Sequence, residues 1–360
     1  MEEKSVSPFV TIIKSKPKLL ALLIILLPVL SVTIDNTILS FALPQLTYAL
    51  SPSAAQQLWI IDAYALVLAS LLVTMGGIGD RKGHKKVLFI GSLGFSIISF
   101  IVIFSQNAGQ IIAGRAALGF FGAMILPATL ALIRSTFLDR EERRLVVAAW
   151  ATCLTIGSVL GPIIGGVLLT FFSWHAIFLI SIPFFIPVIF FIRNFITESQ
   201  EKLTGRVDFF SIGMSFIAMF GIMFGLKQVA TGGEWELSLL SIGIGAIFAV
   251  LFVKRQLVLP NPLLDMSLFR NKSFSSLVFI NMVSLGSLIG FIFFATQLLQ
   301  ISHRISPLIS SFILVPGEIL AIISGIGIVV IAKKVKPNFI ISVSLILIAI
   351  SFLAVYSLTL

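Results

Sequence analysis

Four ionisable side chains stand where an oily chain has little room for them. Asp35, Asp62, Arg115 and Glu318 each fall inside a long apolar stretch of the 360-residue sequence. A charge at bilayer depth costs on the order of 3 kcal/mol by insertion scales, so each needs a proton, a counter-ion or a bound cation to offset it. Three carboxyl groups and one guanidinium in such a setting suit the capture and release of positive species. A proton or a bound cation could neutralise such a carboxyl. Trp59 and Tyr64 lie close to Asp62 in the sequence and offer aromatic faces for cation–π contact. The same residues also have plain structural readings. A buried polar group can bond the backbone of a bent helix, as beside Pro316 and Gly317 for Glu318, and a shallow acid such as Asp62 can face interfacial water. Arg115 is long enough to snorkel or to pair. Catalysis is not expected: His84, His175 and His303 are scattered, with neither metal-ligand spacing nor a nucleophile–base pair, so the sequence implies no metal, no cofactor and no enzyme.

The elements that must position these groups follow from composition. With 58% hydrophobic and 11% charged residues and a mean hydropathy of +1.11, the chain cannot surround itself with a wet surface. Windows of about 20 residues give eleven candidate spans, from Leu19–Leu43 to Phe339–Leu360. The first run follows no small-residue cleavage site, so it reads as a retained span rather than a signal peptide. Cys153 is alone, which excludes a disulfide within the chain.

The net charge of +10 raises the question of nucleic acid, and position answers it. The N-terminus and the loops after even-numbered spans hold 22 of the 25 Lys and Arg residues; Lys227 and Arg304 alone fall on the other side, and Arg115 lies within a span. This is the positive-inside pattern, so the N-terminus is expected in the cytoplasm, the chain in the cytoplasmic membrane, and no nucleic-acid partner is required. At about 1.5 Å per residue, Asp35 then lies roughly 12 Å, and Asp62 roughly 6 Å, from the outer ends of their spans, with Glu318 near mid-bilayer.

Three short stretches carry a family resemblance. "GGIGDRKGHKKVL", with Gly76, Asp80, Arg81, Gly83 and Lys85, resembles the loop between spans 2 and 3 of the major facilitator superfamily, with His84 in place of the usual Arg. With a tight glycine turn and a carboxylate at a helix end, such a loop would latch one gate conformation. "GSVLGPIIGG" resembles the superfamily's antiporter helix: Gly157, Gly161 and Gly165 recur every four residues on one face, with Pro162 and Gly166 between and after them. "RAALGFFGA" resembles the span-4 signature whose arginine, here Arg115, belongs to the proton pathway, although Leu118 stands where Gln is common. "VTIDNTILSFALPQL" and "SWHAIFLISIPF" narrow the resemblance to the fourteen-span drug:proton antiporters and their quaternary-ammonium exporters.

What the resemblance implies is an all-α polytopic membrane protein with major facilitator superfamily-like helical bundles. Residues 1–195 form an N-terminal six-helix bundle, 196–257 an inserted pair of helices with its cytoplasmic linker, and 258–360 a partial C-terminal bundle. The implied activity is proton-coupled efflux of lipophilic cationic drugs, dyes or antiseptics. Protons and organic cations would be its ligands, Asp35 and Asp62 would be among its binding groups, and the proton gradient would replace any cofactor. Eleven spans leave the second bundle incomplete, so the alternative expectation is a truncated non-transporting membrane protein, or a subunit completed by a partner chain.

Overall fold

Several helices begin or end at a residue whose chemistry explains the break, in a computed structural model that describes residues 12–198, 208–260, 262–331, 335 and 337–359. Helix α1, Lys16–Leu50, runs through Pro28 and Pro44 and stops where Ser51 turns left-handed at φ 44°. Three residues later a capping box starts α2, Ala54–Lys82: the Gln56 amide donates to Ser53 Oγ while the Ser53 amide donates to Gln56 Oε1. One residue, Gly83 at φ 99°, separates α2 from α3, His84–Val102. Only glycine holds that backbone without strain. Asn107 caps α4, Ala108–Thr136, and Asp139 caps α5, Arg140–Phe171, accepting from the amides of Glu141 and Glu142. After a short turn over Ala176–Leu179 comes α6, Ser181–Phe195.

Next stand α7, Phe209–Ala230, and α8, Trp235–Val258, followed by a 3₁₀ turn, Met266–Arg270. Helix α9, Lys272–Gln297, continues as a π turn over Leu298–Ser302. The last two are α10, Pro307–Ile331, and α11, Pro337–Thr359. The eleven expected spans thus have eleven helical counterparts. Among the described residues nine are long and apolar enough to cross a membrane, while α10 and α11 present shorter apolar stretches, Pro307–Ala321 and Phe339–Ile350. The chain is an all-helical multi-pass membrane protein.

Packing places α1 at the centre, against α5 on one side and against α4 and α6 on others; α2 lies along α4, and α3 along α4 and α6. Their shared interior holds Ile25, Phe41, Ile60, Tyr64, Phe95, Leu118, Phe178 and Phe185, all at 2% exposure or less. Large apolar side chains on the outer faces, such as Phe190, Leu240 and Leu251, stay open, as they must where lipid is the solvent. Helices α7 and α8 form a hairpin that meets the rest mainly through α2, and α10 lies along α5.

The hairpin is tied at its first residue. Asp208 caps α7 and accepts two bonds from Arg255 in the last turn of α8, at 3.0 and 3.1 Å, plus one from Ser211 Oγ at 2.6 Å. The Arg255 guanidinium, helped by Ser211, holds the Asp208 carboxyl down at about 2. A carboxyl depressed on folding stabilises the fold above its unfolded value of about 4 and loses that contribution as pH falls toward the folded value. Asp208→Asn should therefore melt below the wild type by a constant margin from about pH 7 to about pH 5, and the margin should close between about pH 4 and about pH 2. Thermal unfolding of both proteins across that range checks it.

Candidate functional site

Two residues eighty positions apart make the centre of the molecule. Arg115 Nη1 donates to Asp35 Oδ2 at 2.5 Å, and the two side chains are 1% and 2% exposed. The Arg115 guanidinium also lies over the ring of Tyr64, 4.4 Å from its centroid. Helices α1, α4 and α2 each supply one member. Among the described residues, Arg115 Nε, Arg115 Nη2 and Tyr64 Oη are buried without a hydrogen-bond partner. Buried donors left unmade are costly.

The glycine seam of α5 holds the same stretch of α1 from behind. A Cβ on Gly157 would strike Thr33, one on Gly161 would overlap Thr37 Oγ1, and one on Gly165 would stand 2.9 Å from Ile38 Cγ1. Thr33 and Thr37 in turn donate to backbone carbonyls one turn back, at Val29 and Thr33. Asp35 points the other way, toward α4. Gly166 faces a different partner: its Cβ would meet Ser311 Oγ at 2.8 Å and Leu308 Cα at 2.9 Å, both on α10. Pro162 is buried within the same helix. One helix therefore touches α1 and α10 through adjacent glycines.

The residues expected to form a gate loop lie together at the basic end. Asp80 Oδ1 lies 2.9 Å from His84 Nε2, and Arg81 Nη1 donates to the Gly77 carbonyl at 2.9 Å. Lys85 Nζ donates to the carbonyls of Arg193 and Ile196, both at 2.9 Å. Glu198 accepts from the Lys85 amide at 3.2 Å, so a carboxylate sits at the N-terminus of α3, and a Cβ at Gly83 would come within 2.7 Å of its Oε2. Gly76, Asp80 and His84 line an open cavity of about 1560 Å³ together with Arg134, Arg140 and Arg144.

Of the two aromatic residues expected beside Asp62, Trp59 shares a cation with it and Tyr64 does not. Trp59 stacks on Phe220 of α7 with centroids 5.6 Å apart and lies 4.2 Å beneath the ammonium of Lys227. Lys227 Nζ bonds Asp62 Oδ2 at 2.6 Å and the Leu58 carbonyl at 3.1 Å. Tyr64 belongs to Arg115, on another face of α2. Glu318 lies on α10 two residues beyond Pro316, its side chain outside the described residues. Sequence reasoning did not find Lys227 and Glu198 as site members. Lys227 had a signal, as one of two basic residues on the lean side of the charge count. Among the described residues no group of His, Cys, Asp and Glu is arranged to hold a metal ion.

Comparison with known proteins extends this geometry. The multidrug efflux pump LfrA of Mycolicibacterium smegmatis is 42% identical over 335 residues, which cover 93% of this chain and 66% of LfrA. The methyl viologen resistance protein SmvA of Salmonella typhimurium is 34% identical over 308 residues, covering 85% of this chain and 62% of SmvA. The tetracenomycin C resistance and export protein of Streptomyces glaucescens is 31% identical over 297 residues, covering 82% and 55%. The chain thus spans less than two thirds of the length of each of these relatives. The family described as Major Facilitator Superfamily matches residues 25–360, from within α1 through α11 and across the Asp35–Arg115 centre. The chain belongs to the Major Facilitator Superfamily.

Proposed function

We propose that the chain acts in drug efflux, exporting lipophilic organic cations across the cytoplasmic membrane in exchange for protons. The buried Asp35–Arg115 pair carries this reading. While Asp35 is ionised, the pair is neutral overall and its carboxylate can share charge with an arriving cation. Once Asp35 takes a proton, the Arg115 charge stands alone in a low-dielectric interior and repels any cation nearby. Proton and drug cation then exclude each other, which is the requirement for antiport. The names of the relatives, a multidrug efflux pump and resistance and export proteins, support the drug class. The distribution of Lys and Arg supports an N-terminus in the cytoplasm. Helices α1–α6 serve as the N-terminal bundle, α7 and α8 as the inserted pair, and α9–α11 as part of the second bundle, with the Gly166 contact on α10 as the seam between them.

Vesicles containing the full chain and loaded with ethidium test the reading. Imposing a pH gradient should move the dye, and Asp35→Asn, which keeps an acceptor for Arg115 but cannot ionise, should abolish the response. Dye movement that ignores the gradient, or a response unchanged in Asp35→Asn, would overturn it.

A further inference from the structure

We propose that Lys227 is a tethered competitor cation: its ammonium fills an organic-cation site made by Asp62, the Leu58 carbonyl and the face of Trp59, and a lipophilic ammonium ligand binds there by displacing it. The inference rests on the cation-efflux reading only for the class of ligand.

The ammonium of Lys227 meets three kinds of group that recognise a positive organic head. A carboxylate oxygen lies at 2.6 Å, a backbone carbonyl at 3.1 Å, and an aromatic face at 4.2 Å from its centroid. Carboxylate and aromatic face come from one helix, the cation from another that packs on it from outside the six-helix group. The exposures differ: the Lys227 side chain is 11% open and Asp62 38% open, so a ligand reaches the carboxylate without first unpacking α7. An apolar approach is also present. Phe216, Phe220 and Phe224 stack in sequence along α7 at 6.1 and 6.0 Å, and both Phe220 and Phe224 touch Trp59. Flat hydrophobic cations stack on such surfaces.

The tether itself is suited to yielding. Four flexible carbons let the ammonium swing aside while α7 keeps its place, which a short or planar cationic side chain would not permit. A tether that occupies the site about 90% of the time lowers the apparent affinity of a competing cation about tenfold.

Calorimetric titration of the purified full chain with benzyltrimethylammonium, at constant pH, tests this. Lys227→Ala should bind about tenfold more tightly or better than the wild type. Lys227→Met, which keeps the apolar stem and so guards against loss of packing, should show the same gain. Adding Asp62→Asn should erase it, and adding Asp35→Asn should leave it in place. Unchanged affinity in either single variant, with wild-type thermal stability, would make Lys227 a structural staple and overturn the proposal. A gain that survives Asp62→Asn but disappears with Asp35→Asn would overturn it as well, by placing the ligand at the centre of the molecule. The titration uses no gradient, so its failure leaves the antiport reading standing, and loss of gradient-driven ethidium movement leaves this one standing.

Discussion

Replacing Asp35 by leucine should cost the protein about 3–5 kcal/mol of stability, and the double variant Asp35→Leu/Arg115→Leu should recover most of that loss. The reasoning starts from burial: at 1% and 2% exposure, neither partner can turn to water when the other is removed. Arg115 cannot shed its proton, so without Asp35 its guanidinium stays charged over the Tyr64 face in an apolar interior. Asp35 has an escape, because a carboxyl can take up a proton. Arg115→Leu alone should therefore cost less than Asp35→Leu. Thermal unfolding of the three variants in one detergent decides the matter. Losses that add in the double variant would show that the two residues are not held together as a pair, and equal losses in the two single variants would refute the asymmetry between them.

Gly161→Val should be nearly as damaging, for a steric reason. A Cβ there overlaps Thr37 Oγ1 and lies 3.0 Å from Thr37 Cβ and 3.2 Å from the Ile38 amide nitrogen, so α1 must retreat from α5. It has nowhere to go, because the opposite face of α1 is pinned by Asp35 to Arg115. Overpacking of this kind typically costs about 1–3 kcal/mol, a sizeable share of the roughly 5–15 kcal/mol by which folds are stable, and displacing α1 also displaces Asp35. We expect gradient-driven ethidium movement to vanish in Gly161→Val and to return in part when Thr37→Ala removes the overlapping hydroxyl. Gly213 and Gly243 supply the control. Nothing lies within 4 Å of a Cβ at either, so alanine there should be neutral or slightly stabilising in a helix. Activity in Gly161→Val equal to that of Gly213→Ala would refute the close-packed seam.

The sequence made the helices legible because a bilayer imposes length and polarity on every crossing segment. Their ends were less so. Hydropathy falls off after Leu43, but α1 continues to Leu50 because hydrogen bonding outlasts oiliness and ends only at the left-handed Ser51. The glycine spacing on α5 gave the seam, since four-residue intervals are a local property of one helix. The Asp35–Arg115 pairing was not readable: each residue drew attention alone, but no periodicity connects groups on two helices. Trp59 and Tyr64 show a signal that was present and unused. Five residues on a helix are about 140° apart and three are about 60°, which puts Asp62 on the Trp59 face and Tyr64 on another. Their division between Lys227 and Arg115 follows from that angle.

The single-residue link at Gly83 has a mechanical consequence. With no slack between them, α2 and α3 must swing as one lever, and any tilt that opens the basic end carries both. The three residues from Phe137 to Asp139 give α4 and α5 more play. In the proposed exchange cycle, spectroscopic labels at the basic ends of α2 and α3 should hold a fixed spacing, while labels on α4 and α5 drift apart and return.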